Sequence, residues 1–243
     1  SFKLFASRHL IKGNSNYIKL FDAIQKLDKY KSQTLKEFLK GENFVKNIRV
    51  TKHNLYQLIL KSMVNYHSNT SGDGQLREFL SSAEFLYKKS LFNQCSKVLE
   101  KTKRLAYKQE NFLRIMDTLA WQEDLVYKTT SPKTHEKAMQ SLFHEEKDIV
   151  DKYSNLNQYN QLIFQIYSLY AKEGSARKDE QIQRCRKILK NGLLNNENKA
   201  LSVRAKDMFY FINSACLLYV GADKKAYTHT QKRIELLESH PHL

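Results

Sequence analysis

Glycine and proline are scarce, at 7 and 2 residues in a chain of 243. Sandwiches and barrels join many short strands through turns built from these two residues. Their shortage argues against an all-β chain and leaves long elements with few sharp turns. It also removes the loops that cradle phosphates: no GxGxxG, Walker loop or GxSxG elbow is present. Cysteine is limited to Cys95, Cys185 and Cys216. An odd count at these spacings fits neither a zinc site nor a CxxC redox motif. Free cysteine is among the most buried residue types, so the three are expected to be reduced core residues in a reducing compartment. No apolar run reaches the roughly 18 residues that a membrane helix needs. The most apolar stretch, FYFINSACLLYV at 209–220, is too short. The N-terminal SFKLFASRHLIKG lacks a signal-peptide cleavage pattern. Together these features predict a cytoplasmic protein without membrane insertion.

Acidic residues are the other shortage. Twenty-five Asp and Glu against 41 Lys and Arg give a formal net charge of +16. Such an excess attracts nucleic acid, anionic lipid or acidic protein surfaces. Lysine also decorates helix faces for solubility alone. The basic residues are spread over three segments, near 26–52, 97–108 and 184–206, and no RNA-recognition, zinc-finger or homeodomain signature accompanies them.

What is abundant is apolar recurrence at three and four residues. Tyr17, Leu20, Phe21, Ile24 and Leu27 share one helical face. A short helix follows over Ser32–Leu39, with Gly41 placed to end it. Thr51 can cap the next helix, whose stripe is Leu55, Leu58, Ile59 and Val64. HSNTSGDG, at 67–74, reads as the clearest loop, with Asp73 as the cap beyond it. From Gln75 the chain reads as four helix pairs starting near Gln75, Asn111, Leu156 and Ala200. Spacings of roughly 36 to 45 residues suit helical solenoids, whose units run from about 34 to 47 residues. Ser131-Pro132 is a cap before a first-turn proline. Gly174 and Gly221 end helices, and Asp223 can cap the last one. Near the start of each second helix stands a small residue: Cys95, Ala138, Cys185 and Ala226.

One repeat, Leu76 to Tyr107, resembles the tetratricopeptide superfamily. Ala83, Leu86, Ser90, Phe92, Cys95 and Leu99 take that family's small, large-apolar, turn, aromatic, small and large-apolar places in order. Ser90 stands where the family has glycine. Leu218 to Leu237 is a second, weaker match through Gly221, Ala226 and Leu237. The chain is also similar to helical-repeat proteins of bacterial genomes that lack an assigned activity. The resemblance implies an all-α, right-handed superhelix of antiparallel helix pairs. Residues 1–74 are expected to add helices that pack on a solenoid spanning 75–243, in one continuous domain. It further implies a scaffold that holds a protein or peptide in a concave groove, in bacterial signalling or assembly.

No residue constellation points to catalysis, a metal or a cofactor. His144-Glu145-Glu146, with His135 nearby, lacks HExxH spacing, and nine residues of helix put the two histidines on opposite sides. Glu78, Glu84, Glu123 and Asp124 read as ordinary helix-face carboxylates. The expectation is therefore a protein that is not an enzyme and binds no cofactor. Partner contacts are expected on the first helices of the pairs, at Tyr159, Gln165, Arg204 and Tyr210, with Trp121 as a further candidate. Tyr167 and Tyr170 lie close by, and tyrosine suits half-wet contact surfaces. The alternative is a basic module that grips nucleic-acid phosphates through Lys97, Lys101, Arg104, Arg186 and Lys190 on the second helices.

Overall fold

The computed structural model describes residues 2–9, 15–173 and 179–243, with the side chains of all of these except 7–9, 15, 67–70 and 170–173. Gly174 and the Tyr170 side chain lie outside the described residues. Helix makes up about 85% of the structure, and no strand occurs among the described residues. The all-helical expectation holds. The chain forms two compact units, Ser1–Arg77 and Glu78–Leu243.

The first unit holds α1 (Phe2–His9), α2 (Ser15–Gln25), α3 (Ser32–Phe38), a 3-10 turn over Asn43–Asn47, and α4 (Ile48–Thr70). Leu20, Leu35, Leu39, Phe44 and Leu55 form its core. Tyr17, Phe21, Ile24 and Leu27 pack around it, as their spacing predicts. Gly41 ends the α3 region with φ +97°, a left-handed conformation that suits glycine. Four local expectations change. Thr51 does not cap α4; it lies inside the helix and donates to the Asn47 carbonyl one turn back, at 3.2 Å. Val64 is off the buried stripe and exposed. HSNTSGDG is not a loop: α4 runs to Thr70 and α5 (Gly72–Lys88) starts two residues later. Ser71 Oγ, rather than Asp73, accepts the Gly74 N–H at 3.0 Å. Asp73 instead pairs with Arg77 one turn on.

In the second unit, α5 is followed by α6 (Phe92–Lys108), α7 (Phe112–Thr129), α8 (Pro132–Glu173), α9 (Asp179–Leu189), α10 (Val203–Tyr219) and α11 (Asp223–Ser239). Cys95 and Ala83 are fully buried against each other's helices, and Cys95 Sγ donates to the Ala83 carbonyl at 3.3 Å. Small residues at this crossing bring α5 and α6 together, while Leu80, Leu99 and Leu125 close the core around them.

Three corners share one design. Ser90, Glu110 and Gly221 have φ of 58°, 45° and 77°. At each, the N–H of the following residue reaches back to a carbonyl five residues earlier: Leu91 to Leu86, Asn111 to Ala106 and Ala222 to Leu217, all at 2.9 Å. This is the Schellman ending, which satisfies carbonyls a helix terminus would leave unpaired. Only Gly221 carries the glycine that announces it. Ser90 does occupy the turn position expected of it, and Glu110 takes the equivalent place at the next corner. Asp223 is the first residue of α11 rather than its cap; Ala222 holds the cap position.

The middle of the unit departs from a chain of separate pairs. The second helix of the second expected pair and the first helix of the third are one helix, α8, of 42 residues. At 1.5 Å per residue it is about 63 Å long. Pro132 is its first residue, as Ser131-Pro132 predicts. The break expected just before Leu156 is absent, and the helix continues through Asn155, whose side chain has distant partners. Its Nδ2 donates to the Lys199 carbonyl at 2.9 Å and its Oδ1 accepts the Leu201 N–H at 3.0 Å. Merging the helices also alters the small-residue pattern. Ala138 is half-buried and Met139 beside it is buried.

Candidate functional site

The C-terminal half of α8 and the helix α9 border an open groove of about 620 Å³. Its floor comes from Leu162, Leu169 and Ile188, all buried in the core that α8, α9 and α10 share. On α8, Phe164, Gln165 and Ser168 form one wall. Phe164 leaves the buried stripe of Tyr159, Leu162, Ile166 and Leu169 and is 72% exposed. Gln165 is exposed, and Ser168 Oγ donates back to the Phe164 carbonyl at 2.8 Å. On the α9 side stand Arg184 and Lys187, one turn apart, then Lys190 and Asn191 beyond the helix end. Arg184 pairs with Glu180 on its own helix. Asn191 is occupied as a cap, its side chain accepting the Leu193 N–H at 2.9 Å. No acidic side chain among the described residues lines the groove.

The structure separates the residues expected to contact a partner. Tyr159 is fully buried, and its hydroxyl donates to the Leu193 carbonyl at 3.0 Å. Tyr210 is 7% exposed and donates to Glu197 at 2.7 Å. Burial pushes both phenols up to about 12, and for Tyr210 the Glu197 carboxylate adds to the effect. Both remain neutral donors inside the fold, so neither offers a ring to a groove. Trp121 is half-buried, with its ring edge-on to Tyr87 at 5.4 Å between centroids. It packs on the α5/α6 core. Arg204 is exposed, but its guanidinium donates to the Gln109 carbonyl at 3.1 Å. Tyr167 is exposed near the Phe211 ring. Of the five expected contacts, Gln165 alone lines the groove.

Among the alternative basic residues, Lys97, Lys101 and Arg104 are exposed on α6 with spacings of four and three. Lys101 lies over the Phe79 ring at 4.3 Å. Arg186 is exposed on α9, and Lys190 lines the groove. The groove thus takes one residue from each expected set. It adds Phe164, Ser168, Arg184, Lys187 and Asn191, which the sequence reading passed over. Phe164 carried a partial signal: it is an aromatic out of phase with the buried stripe of its helix, as Phe143, Tyr153 and Tyr167 also are.

Two other polar clusters have structural roles. Glu110 accepts the Val203 and Arg204 N–H groups at 2.8 and 2.9 Å. It places a carboxylate at the positive end of α10. Glu145 bridges Lys103 and Tyr107, each at 2.6 Å. Burial, then the Glu145 hydrogen bond, raises the Tyr107 phenol further. Glu123 is raised by burial first and then by Glu146 and Asp124. No group of His, Cys, Asp and Glu among the described residues could hold a metal ion. No helix among them is long and apolar enough to cross a membrane. Comparison with models of known protein families, with curated proteins and with solved structures gave no match to this chain.

Proposed function

We propose that this protein is a non-catalytic scaffold of tetratricopeptide-like helix pairs that binds a segment of a partner protein. The observation that carries this reading is the α8/α9 groove, with its apolar floor, exposed Phe164 and polar rim on two helices of one core. Concave, mostly apolar sites with a few polar groups are the usual form of a binding site. The recurring corners at Ser90, Glu110 and Gly221 support a superhelical stacking of pairs, with α8 shared between two of them. Three buried, unbridged thiols support a reducing, cytoplasmic setting. Bacterial signalling or assembly is the role proposed for it.

The second reading is a basic helical module that binds nucleic acid through its phosphates. It is favoured by the exposed row Lys97, Lys101 and Arg104 and by the overall charge. A photo-crosslinking residue placed at position 165 or at position 101, in cells making the protein, separates the two. The scaffold reading expects protein adducts from 165 that Phe164→Ala abolishes. Nucleic-acid adducts from 101, with none from 165, would contradict it.

A further inference from the structure

The groove is one-sided in charge. Arg184, Lys187 and Lys190 stand along α9 and its end, whereas the α8 wall is neutral. Glu180 holds Arg184. Among the described residues, Lys187 and Lys190 have no ion-pair partner. Cations beside a low-dielectric apolar floor focus their field into the cleft and favour an anionic occupant. The floor of Leu162, Leu169 and Ile188, with Phe164 at the rim, asks for an apolar group on the same occupant. Gln165 keeps an exposed amide that can pair with a peptide backbone.

We infer that the groove selects an acidic peptide segment anchored by an apolar side chain, its carboxylates running along α9 and its apolar residue on the Leu162–Leu169–Ile188 floor. The inference rests on the groove being a protein-docking site. A carboxylate peptide fits better than a bare phosphate chain for two reasons. The floor is apolar, and the Leu193 N–H next to the groove residue Asn191 is already taken by the Asn191 side chain.

The test is selection from a library of random short peptides displayed on phage, against the full chain. Enriched peptides are then measured by fluorescence polarisation at low and high salt. The expected winners are rich in Asp and Glu beside a Leu or Phe. Lys187→Glu combined with Lys190→Glu weakens them by about tenfold or more, and salt weakens them as exposed ion pairs require. Phe164→Ala weakens them without changing the salt response. Every substituted position is exposed, and circular dichroism checks that each variant folds. Neutral or basic winners that still depend on Phe164 would overturn the acidic specificity and leave the docking site standing. Winners indifferent to all these variants, or no winners at all, would overturn both. Displacement of the peptides by an oligonucleotide but not by inorganic phosphate would assign the α9 cations to nucleic acid and overturn the inference.

Discussion

Replacing Asn155 with alanine removes the side chain that joins the middle of α8 to the segment before α10. Asn155 is 8% exposed and makes two hydrogen bonds, at 2.9 and 3.0 Å, to backbone groups 44 and 46 residues away. Its loss leaves the Lys199 carbonyl and the Leu201 N–H partly buried without partners, at about 1–3 kcal/mol each. Alanine returns roughly 0.6 kcal/mol of helix propensity. The net cost is about 2–4 kcal/mol, which for a unit of this size lowers the melting temperature by roughly 5–15 °C. Asn155→Asp is expected to be at least as harmful, because it keeps the acceptor but sets a carboxylate against the Lys199 carbonyl. Asn157→Ala, exposed two residues along the same helix, should be neutral or slightly stabilising. Thermal and urea unfolding followed by far-UV circular dichroism measures all three. An Asn155→Ala protein within about 0.5 kcal/mol of the parent, the range of ordinary surface changes, would refute this role for Asn155.

Three further outcomes follow from the same contacts. Glu110→Ala should cost about 2 kcal/mol, for it loses the charged cap on α10 and keeps a side chain at positive φ; Glu110→Gly, which relieves that φ, should cost about half as much by urea unfolding. Cys95, Cys185 and Cys216 should resist a bulky thiol reagent until the protein unfolds, read by mass spectrometry, and Cys95→Ser should cost only about 1 kcal/mol, since a hydroxyl can still donate to the Ala83 carbonyl. The Tyr210 hydroxyl and then Lys232 hold Glu197 below its ordinary value of 4.5. A depressed acid contributes stability above its unfolded pKa and loses it as pH falls through the folded one, so thermal melts below about pH 4.5 should fall less in Glu197→Gln than in the parent.

The sequence made the helices legible because their apolar residues recur with helical spacing. It hid two kinds of information. The first is what happens between helices. Ser90 and Glu110 adopt left-handed φ without glycine, and the pair start expected near Leu156 lies inside one continuous helix. The helix runs through Asn155, whose side chain is taken up by the distant backbone groups of residues 199 and 201. The loop expected at 67–74 failed similarly, since Ser71 supplies a cap that lets one helix follow another almost directly. The second is depth. Tyr159 and Tyr210 belong to the core and not to the groove, because spacing cannot distinguish a buried phenol with a carbonyl or carboxylate partner from a half-wet one. The groove needs α9 beside α8, a long-range fact. What the sequence offered was Gln165, Lys190 and the out-of-phase Phe164.

Hydrogen exchange of the full chain, with and without a selected acidic peptide at saturation, locates the docked segment. Slowed exchange is expected at residues 162–169 and 184–191 of the α8/α9 groove, with the α6 residues 97–104 unchanged. Protection centred on 97–104, or none at the groove despite bound peptide, would rule out docking between α8 and α9.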